Sequence, residues 1–286
     1  MNDTHQPNRS TILVRRILLP IYRLRDTCPA FDSAVQIARM FEAGLLIAAV
    51  VDRRSYTVLA GAPPAAGPVV AVDKKRLEVF RADLTRWVVE LAGRAKVMGV
   101  QAETLTTVGS GPEEVVKLSR QCDLIVDYEP VRRAFLERKL FGAKDVYTDS
   151  ACPILLAGDG SLAGEPVLLV YNRSKQANRA LRWITLFAES VRTTDLQALT
   201  IFRNEKERER LPREVISLAT AHGLNVQVEA VPAKVGFDRA VELVRKLRPS
   251  FVAMPTYVFS RPLRLRLGGI DRQALKDLRT PVLLFT

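Results

Sequence analysis

Histidine, cysteine and long apolar runs are scarce in this chain, and each scarcity removes a class of function. Only His5 and His222 are present, too few for a histidine-built metal site or proton relay. The three cysteines, Cys28, Cys122 and Cys152, are odd in number, far apart and without a Cys-x-x-Cys pair. That spacing argues against both a disulfide framework and a zinc site. Cys122 and Cys152 each abut a predicted strand, where a buried cysteine acts as a small hydrophobe. No uninterrupted apolar run approaches the ~20 residues that span a bilayer. The greasiest stretch, Tyr56 to Val72, is broken by Gly61, Pro63, Pro64, Gly67 and Pro68 and reads as a loop. The N-terminal residues lack the apolar core of a signal peptide. A cytoplasmic protein without a membrane partner is therefore expected. Also missing are Gly-x4-Gly-Lys-[Ser/Thr], a Gly-x-Gly-x-x-Gly after a strand, and a Gly-x-Ser-x-Gly nucleophile elbow. The nearest fragment, Gly109-Ser-Gly-Pro112, reads as the entry to a helix. No catalytic constellation is expected, and hence no enzyme.

Apolar residues make up 48% of the 286 and charged residues 26%, the balance of a globular protein. The formal charge of +12 is the outlier. It suits either an anionic partner, such as nucleic acid, or simple solubilising charge. Arginines that alternate with acids, as over 203–210, read as a solvated helix face.

The chain writes its strands twice. Ile17-Leu18-Leu19-Pro20-Ile21-Tyr22 answers Val167-Leu168-Leu169-Val170-Tyr171-Asn172, and Cys152-Pro153-Ile154-Leu155-Leu156 answers Thr280-Pro281-Val282-Leu283-Leu284. Such self-similarity marks two copies of one domain: a tail over 1–15, a first domain over 16–157, a linker over 158–165 that its glycines make flexible, and a second domain over 166–286.

In the first copy, strands are predicted over 16–22, 45–51, 100–108, 123–127 and 153–157, alternating with helices over 30–43, 74–98, 112–121 and 136–148. The second copy repeats that order, with strands over 167–172, 196–202, 224–230, 251–254 and 281–285. Its helices fall over 176–191, 205–222, 237–247 and 269–278. Ile17 matches Val167, but Gly99 matches Gly223, so the first copy carries an insertion, largely Arg53–Val72. This alternation implies right-handed crossovers and a doubly wound α/β sheet in each copy.

The strand–helix order, the closing Cys-Pro-Ile-Leu-Leu and Thr-Pro-Val-Leu-Leu, and Asp123-Leu-Ile-Val126 together resemble the universal stress protein family, in its tandem-domain form, from Arg16 to Phe285. The resemblance implies two five-stranded parallel sheets of strand order 3-2-1-4-5, packed as a pseudo-dimer through their fifth strands. Further self-association through open sheet edges is also implied. Ligands of such sheets bind where the order reverses, beyond the carboxyl ends of the first and fourth strands. ATP-binding members carry an Asp after the first strand and Gly-x2-Gly-x9-Gly-[Ser/Thr] after the fourth.

This chain departs from that pattern in both copies. Tyr22 and Asn172 stand at the Asp position, and Tyr128, Val131, Pro255 and Val258 replace the leading glycines. Proline has no N–H to offer, and side chains keep phosphate from the backbone. The nucleotide sites are thus degenerate. The second copy keeps Asn172, Ser174, Gly268 and Gly269 as candidate cofactor-binding residues, with ATP the one cofactor in view. Arg261, Arg264 and Arg266 are candidate anion-binding residues, in the loop where the first copy has Arg132, Arg133, Arg138 and Lys139. Their alternation with Leu263, Leu265 and Leu267 equally suits arginines that merely face water. Asp123, Asp127 and Glu129 fall near one strand end and read as a solvated acid cluster, not a Mg²⁺ site.

The expected function is non-enzymatic: a stress-response binding or scaffold protein with an unidentified protein partner. One alternative is a switch that binds ATP or another phosphate ligand in the second domain. Another is a nucleic-acid-binding protein acting through its basic surface.

Overall fold

Unbroken runs of Leu, Ile, Val and Ala form the central strands, as burial on both faces of a parallel sheet requires. A computed structural model describes residues 14–24, 29–60, 69–127, 146–158, 162, 166–191, 194–255 and 280–286. In the first half these are β1 (Arg16–Ile21), α1 (Pro29–Phe41), β2 (Gly44–Asp52), β3 (Thr57–Ala60), β4 (Val69–Val72) and α2 (Lys74–Val97). Then follow β5 (Ala102–Gly109), α3 (Gly111–Ser119), β6 (Leu124–Asp127), α4 (Val146–Asp149) and β7 (Ile154–Leu156). The second half has β8 (Val167–Tyr171), α5 (Lys175–Val191), β9 (Asp195–Phe202) and α6 (Glu205–Ala221). It closes with β10 (Asn225–Pro232), α7 (Gly236–Leu247), β11 (Val252–Pro255) and β12 (Val282–Phe285).

Each half has the spatial order 3-2-1-4-5, and the two form one ten-stranded sheet, β10-β9-β8-β11-β12-β7-β6-β1-β2-β5. The expected pair of sheets is thus continuous. Antiparallel pairing of β12 with β7, Leu283 opposite Leu155, makes the seam. All other ladders of this sheet are parallel. Strand direction therefore reverses at the seam, and the carboxyl ends of the two halves point in opposite directions.

Side chains weld the halves across one face. Phe41 of α1 lies 5.3 Å from Phe187 of α5, ring centre to ring centre, and Phe187 stacks on Trp183 at 4.7 Å. Phe251 and Phe285 close this aromatic cluster. The stripe Phe31, Ala34, Val35, Ala38 and Phe41 of α1 is wholly buried, each large member contributing roughly 1.5–3 kcal/mol. Helix ends follow their local chemistry. Asp73 and Asn204 accept the N–H of Arg76 and Glu207, which satisfies a first-turn donor. Gly99 and Gly223, at φ of +80° and +74°, end α2 and α6 where a side chain would be strained.

Two expectations need correction. The Arg53–Val72 insertion is not wholly a loop, since a short helical turn over Arg53–Tyr56 leads into an antiparallel β3–β4 hairpin. Its Val-rich flanks supply strand propensity that the intervening prolines had masked. The linker is tied down at Leu162, which is buried in the main core, its N–H 3.5 Å from Gln36 Oε1.

Candidate functional site

The sheet order reverses between β1 and β6 in the first half and between β8 and β11 in the second, which leaves a crevice at each pair of carboxyl ends.

In the first half, Tyr22 follows β1 and Asp127 ends β6. The Tyr22 hydroxyl donates to Asp127 Oδ2 at 3.5 Å, a long bond that spans the switch point. Asp127 is buried, and Tyr22 packs on the core beneath the crevice. Burial first, then the Asp127 carboxylate, hold the Tyr22 phenol well above its ordinary pKa, so it stays a neutral donor. The acid cluster read from sequence does not form. Asp123 precedes β6 and takes the backbone N–H of Arg15 and Arg16 at 2.8 and 3.0 Å. Asp127 lies at the far end of that strand, roughly 13 Å away at about 3.3 Å per residue. A one-dimensional spacing hid this separation, and Asp127 is buried and bonded, not solvated. Glu129 lies outside the described residues. Asp52, at the end of β2, is gripped by Arg54 through Nε at 3.0 Å and Nη2 at 2.8 Å.

In the second half, Asn172 Oδ1 accepts the N–H of Ser174 at 3.1 Å, and Ser174 Oγ accepts that of Ala177 at 3.1 Å. Asn172 thus shapes a turn and Ser174 caps α5. Arg173 between them adopts φ of +60°, the left-handed region that non-glycine residues rarely enter. Beneath this turn lies a polar network that the sequence reading missed. The Tyr171 hydroxyl is 2.7 Å from Asn178 Oδ1 and 3.2 Å from Glu214 Oε2, sharing its one proton between them. Glu214 in turn holds Arg210 at 2.6 Å and Arg173 at 3.6 Å. Burial, then the Glu214 charge, push the Tyr171 phenol up to about 12. A tyrosine closing an otherwise aliphatic buried strand was the available signal, since its hydroxyl needs a partner inside.

Of the candidate residues, the fold brings Asn172 and Ser174 to the carboxyl end of β8, beside the second crevice. Gly268, Gly269, Arg261, Arg264 and Arg266 lie outside the described residues, as do Arg132, Arg133, Arg138 and Lys139. Cys152 is buried and Cys122 half-buried; desolvation pushes their thiols up to about 12 and about 11, which keeps both unreactive near neutrality. Among the described residues, no group of three or more His, Cys, Asp or Glu is placed to hold a metal ion. None of the described helices is long and apolar enough to cross a membrane.

No protein-family model matches the sequence, and no curated protein matches it. Solved structures do match its fold. A universal stress protein from Archaeoglobus fulgidus is similar with a TM-score of 0.72 and 15% identity, over 96% of each chain. A putative universal stress protein from Pseudomonas aeruginosa UCBPP-PA14 gives 0.58 and 14%, over 96% of this chain and 94% of that one. A functionally unknown protein from Pseudomonas aeruginosa PAO1 gives 0.58 and 14%, over 96% and 93%. The chain therefore has the doubly wound α/β fold of these proteins along almost its whole length.

Proposed function

We propose that this protein is a tandem-domain universal stress protein that acts by binding and scaffolding rather than by catalysis, with crevices that have become structural junctions. The observation that carries this reading is the Tyr22–Asp127 bond across the first crevice, where a ligand of this architecture would enter. The second crevice supports it, because the side-chain oxygens of Asn172 and Ser174 already hold backbone N–H groups. Redirecting those oxygens to a nucleotide would cost about 1 kcal/mol for each cap or turn bond given up.

Calorimetric titration of the full chain with Mg-ATP tests the proposal. No saturable heat is expected up to about 100 μM nucleotide, the range that micromolar binding would fill. Saturable micromolar binding, abolished by Gly268→Trp, would establish a working nucleotide site in the second half and overturn it.

A further inference from the structure

The ten-stranded sheet has two open edges, and they are not equivalent. At one end is β10; at the other is β5, and among the described residues no strand pairs with either on its outer side. Leu45 donates its N–H to Gln101 O, and β2 and β5 run in parallel register from Leu45–Ala102 to Asp52–Gly109. The odd-numbered residues of β5 therefore bond inward to β2, while Ala102, Thr104, Thr106 and Val108 present N–H and C=O outward. A row of unpaired backbone groups is a template for another strand.

Edges are ordinarily guarded by lysine, proline, a bulge or a covering element. The outer edge of β10 carries such a guard. The same parity argument, from the Asn225 N–H on Thr194 O, puts Val226, Val228, Ala230 and Pro232 outward, and Pro232 has no N–H to give. None of the large exposed hydrophobic residues lies on β10. The sequence of β5, Ala-Glu-Thr-Leu-Thr-Thr-Val-Gly, has neither proline nor a basic residue. Its Leu105 is 40% exposed and its Val108 37%. Thr106 Oγ1 meets Thr85 Oγ1 of α2 at 2.9 Å. Val89, 55% exposed, lies one turn from Thr85 on the same flank of α2. Thr106 and Thr85 thus join one face of β5 to the outer flank of α2, while Leu105, next in the alternation, stands on the opposite face of the sheet.

We infer that β5 is a homodimer interface, pairing antiparallel with β5 of a second copy to extend the sheet. A second copy fits because the strand is complementary to itself. Centred on Leu105, the pairing sets Leu105 against Leu105, Thr104 against Thr106, Glu103 against Thr107 and Ala102 against Val108. The outward-bonding residues then exchange N–H and C=O, and the Leu105 pair falls at a close, non-hydrogen-bonded position. No like charges face each other, and Glu103 keeps its partner Arg16 within its own copy at 2.6 Å. The seam within the chain, β7 against β12, already joins two such halves by antiparallel pairing. An eight-residue edge is about 27 Å long. An interface built on that edge alone belongs to the small, weak class below about 1,000–1,200 Å² in total. The dimer is accordingly a weak one.

Sedimentation velocity of the full chain from about 1 to 100 μM tests this. The expected result is a concentration-dependent rise from the 31.9 kDa monomer to twice that mass. Monomers of net charge +12 repel one another, so the dimer should strengthen as salt rises from about 0.05 to 0.5 M. Thr104→Pro removes an outward N–H to which no strand among the described residues is paired, and Leu105→Lys sets two cations face to face. Both variants should remain monomeric throughout with unchanged circular dichroism. Should Thr104→Pro disturb folding, Leu105→Lys, altering a half-exposed side chain, gives the answer alone. A wild-type chain monomeric at about 100 μM overturns the inference. So does a dimer that Leu105→Lys leaves intact, or one that added salt dissociates.

Discussion

Phe187 is the residue whose removal tests the weld between the halves. Its ring is buried, 2% exposed, and it meets Phe41 from the first half and Trp183 and Phe251 from the second. Phe187→Ala removes the transfer energy of the ring and leaves a cavity among rigid aromatics that cannot collapse into it. A loss of about 3–5 kcal/mol is expected, toward the upper end because ring pairs add about 0.5–1.5 kcal/mol each beyond burial. With a urea dependence of about 3 kcal/mol/M for a chain of this size, the unfolding midpoint should fall by about 1–1.7 M. The chain has two tryptophans, one in each half: Trp87 on α2 and Trp183 on α5. Trp87→Phe and Trp183→Phe backgrounds therefore report each half separately by fluorescence. One continuous core cluster includes both halves, so both reporters should shift together. A fall seen by Trp183 while the Trp87 midpoint holds still would refute the claim that the two halves are one cooperative unit.

Alkaline pH should destabilise the protein in a predictable window. The Tyr171 phenol is raised from 10 to about 12, so its contribution is fully present below pH 10 and is lost as pH rises toward 12, at most about 3 kcal/mol. Urea titrations at pH 9 and 11 should show a smaller drop in Tyr171→Phe than in wild type; equal drops would contradict the assignment. Two glycine substitutions should act with opposite sign. At Gly236, the first residue of α7, an added Cβ would fall 2.8 Å from Ile201 Cδ1, so Gly236→Ala should cost about 1–3 kcal/mol by overpacking. At Gly93, within α2, the added Cβ meets nothing within 4 Å, so Gly93→Ala should stabilise by up to about 1 kcal/mol through helix propensity. Thermal melts read both.

The duplicated strands were legible in the sequence because a fully buried parallel strand tolerates only apolar residues, and runs such as 45–51 and 167–171 display that directly. Helix ends were legible for a related reason. Gly99 and Gly223 supply left-handed backbone beside the ends they define, whereas the cap oxygens of Asp73 and Asn204 emerged from the structure. The β3–β4 hairpin was less legible, because its pairing joins residues separated by prolines and glycines that speak only for the turn.

The sequence by itself determined that one α/β order of strands and helices is written twice, since apolar runs and their repetition carry that information. Only the tertiary structure decided what the polar residues at the strand ends do. Tyr22 meets Asp127 from 105 residues away, and Tyr171 meets Glu214 from 43 residues away. No local pattern encodes such pairings. The same holds for the seam of β7 with β12 and for the outermost place of β5 among the described strands. Which strand lies outermost is a property of sheet order, and sheet order is set by contacts made across the whole chain.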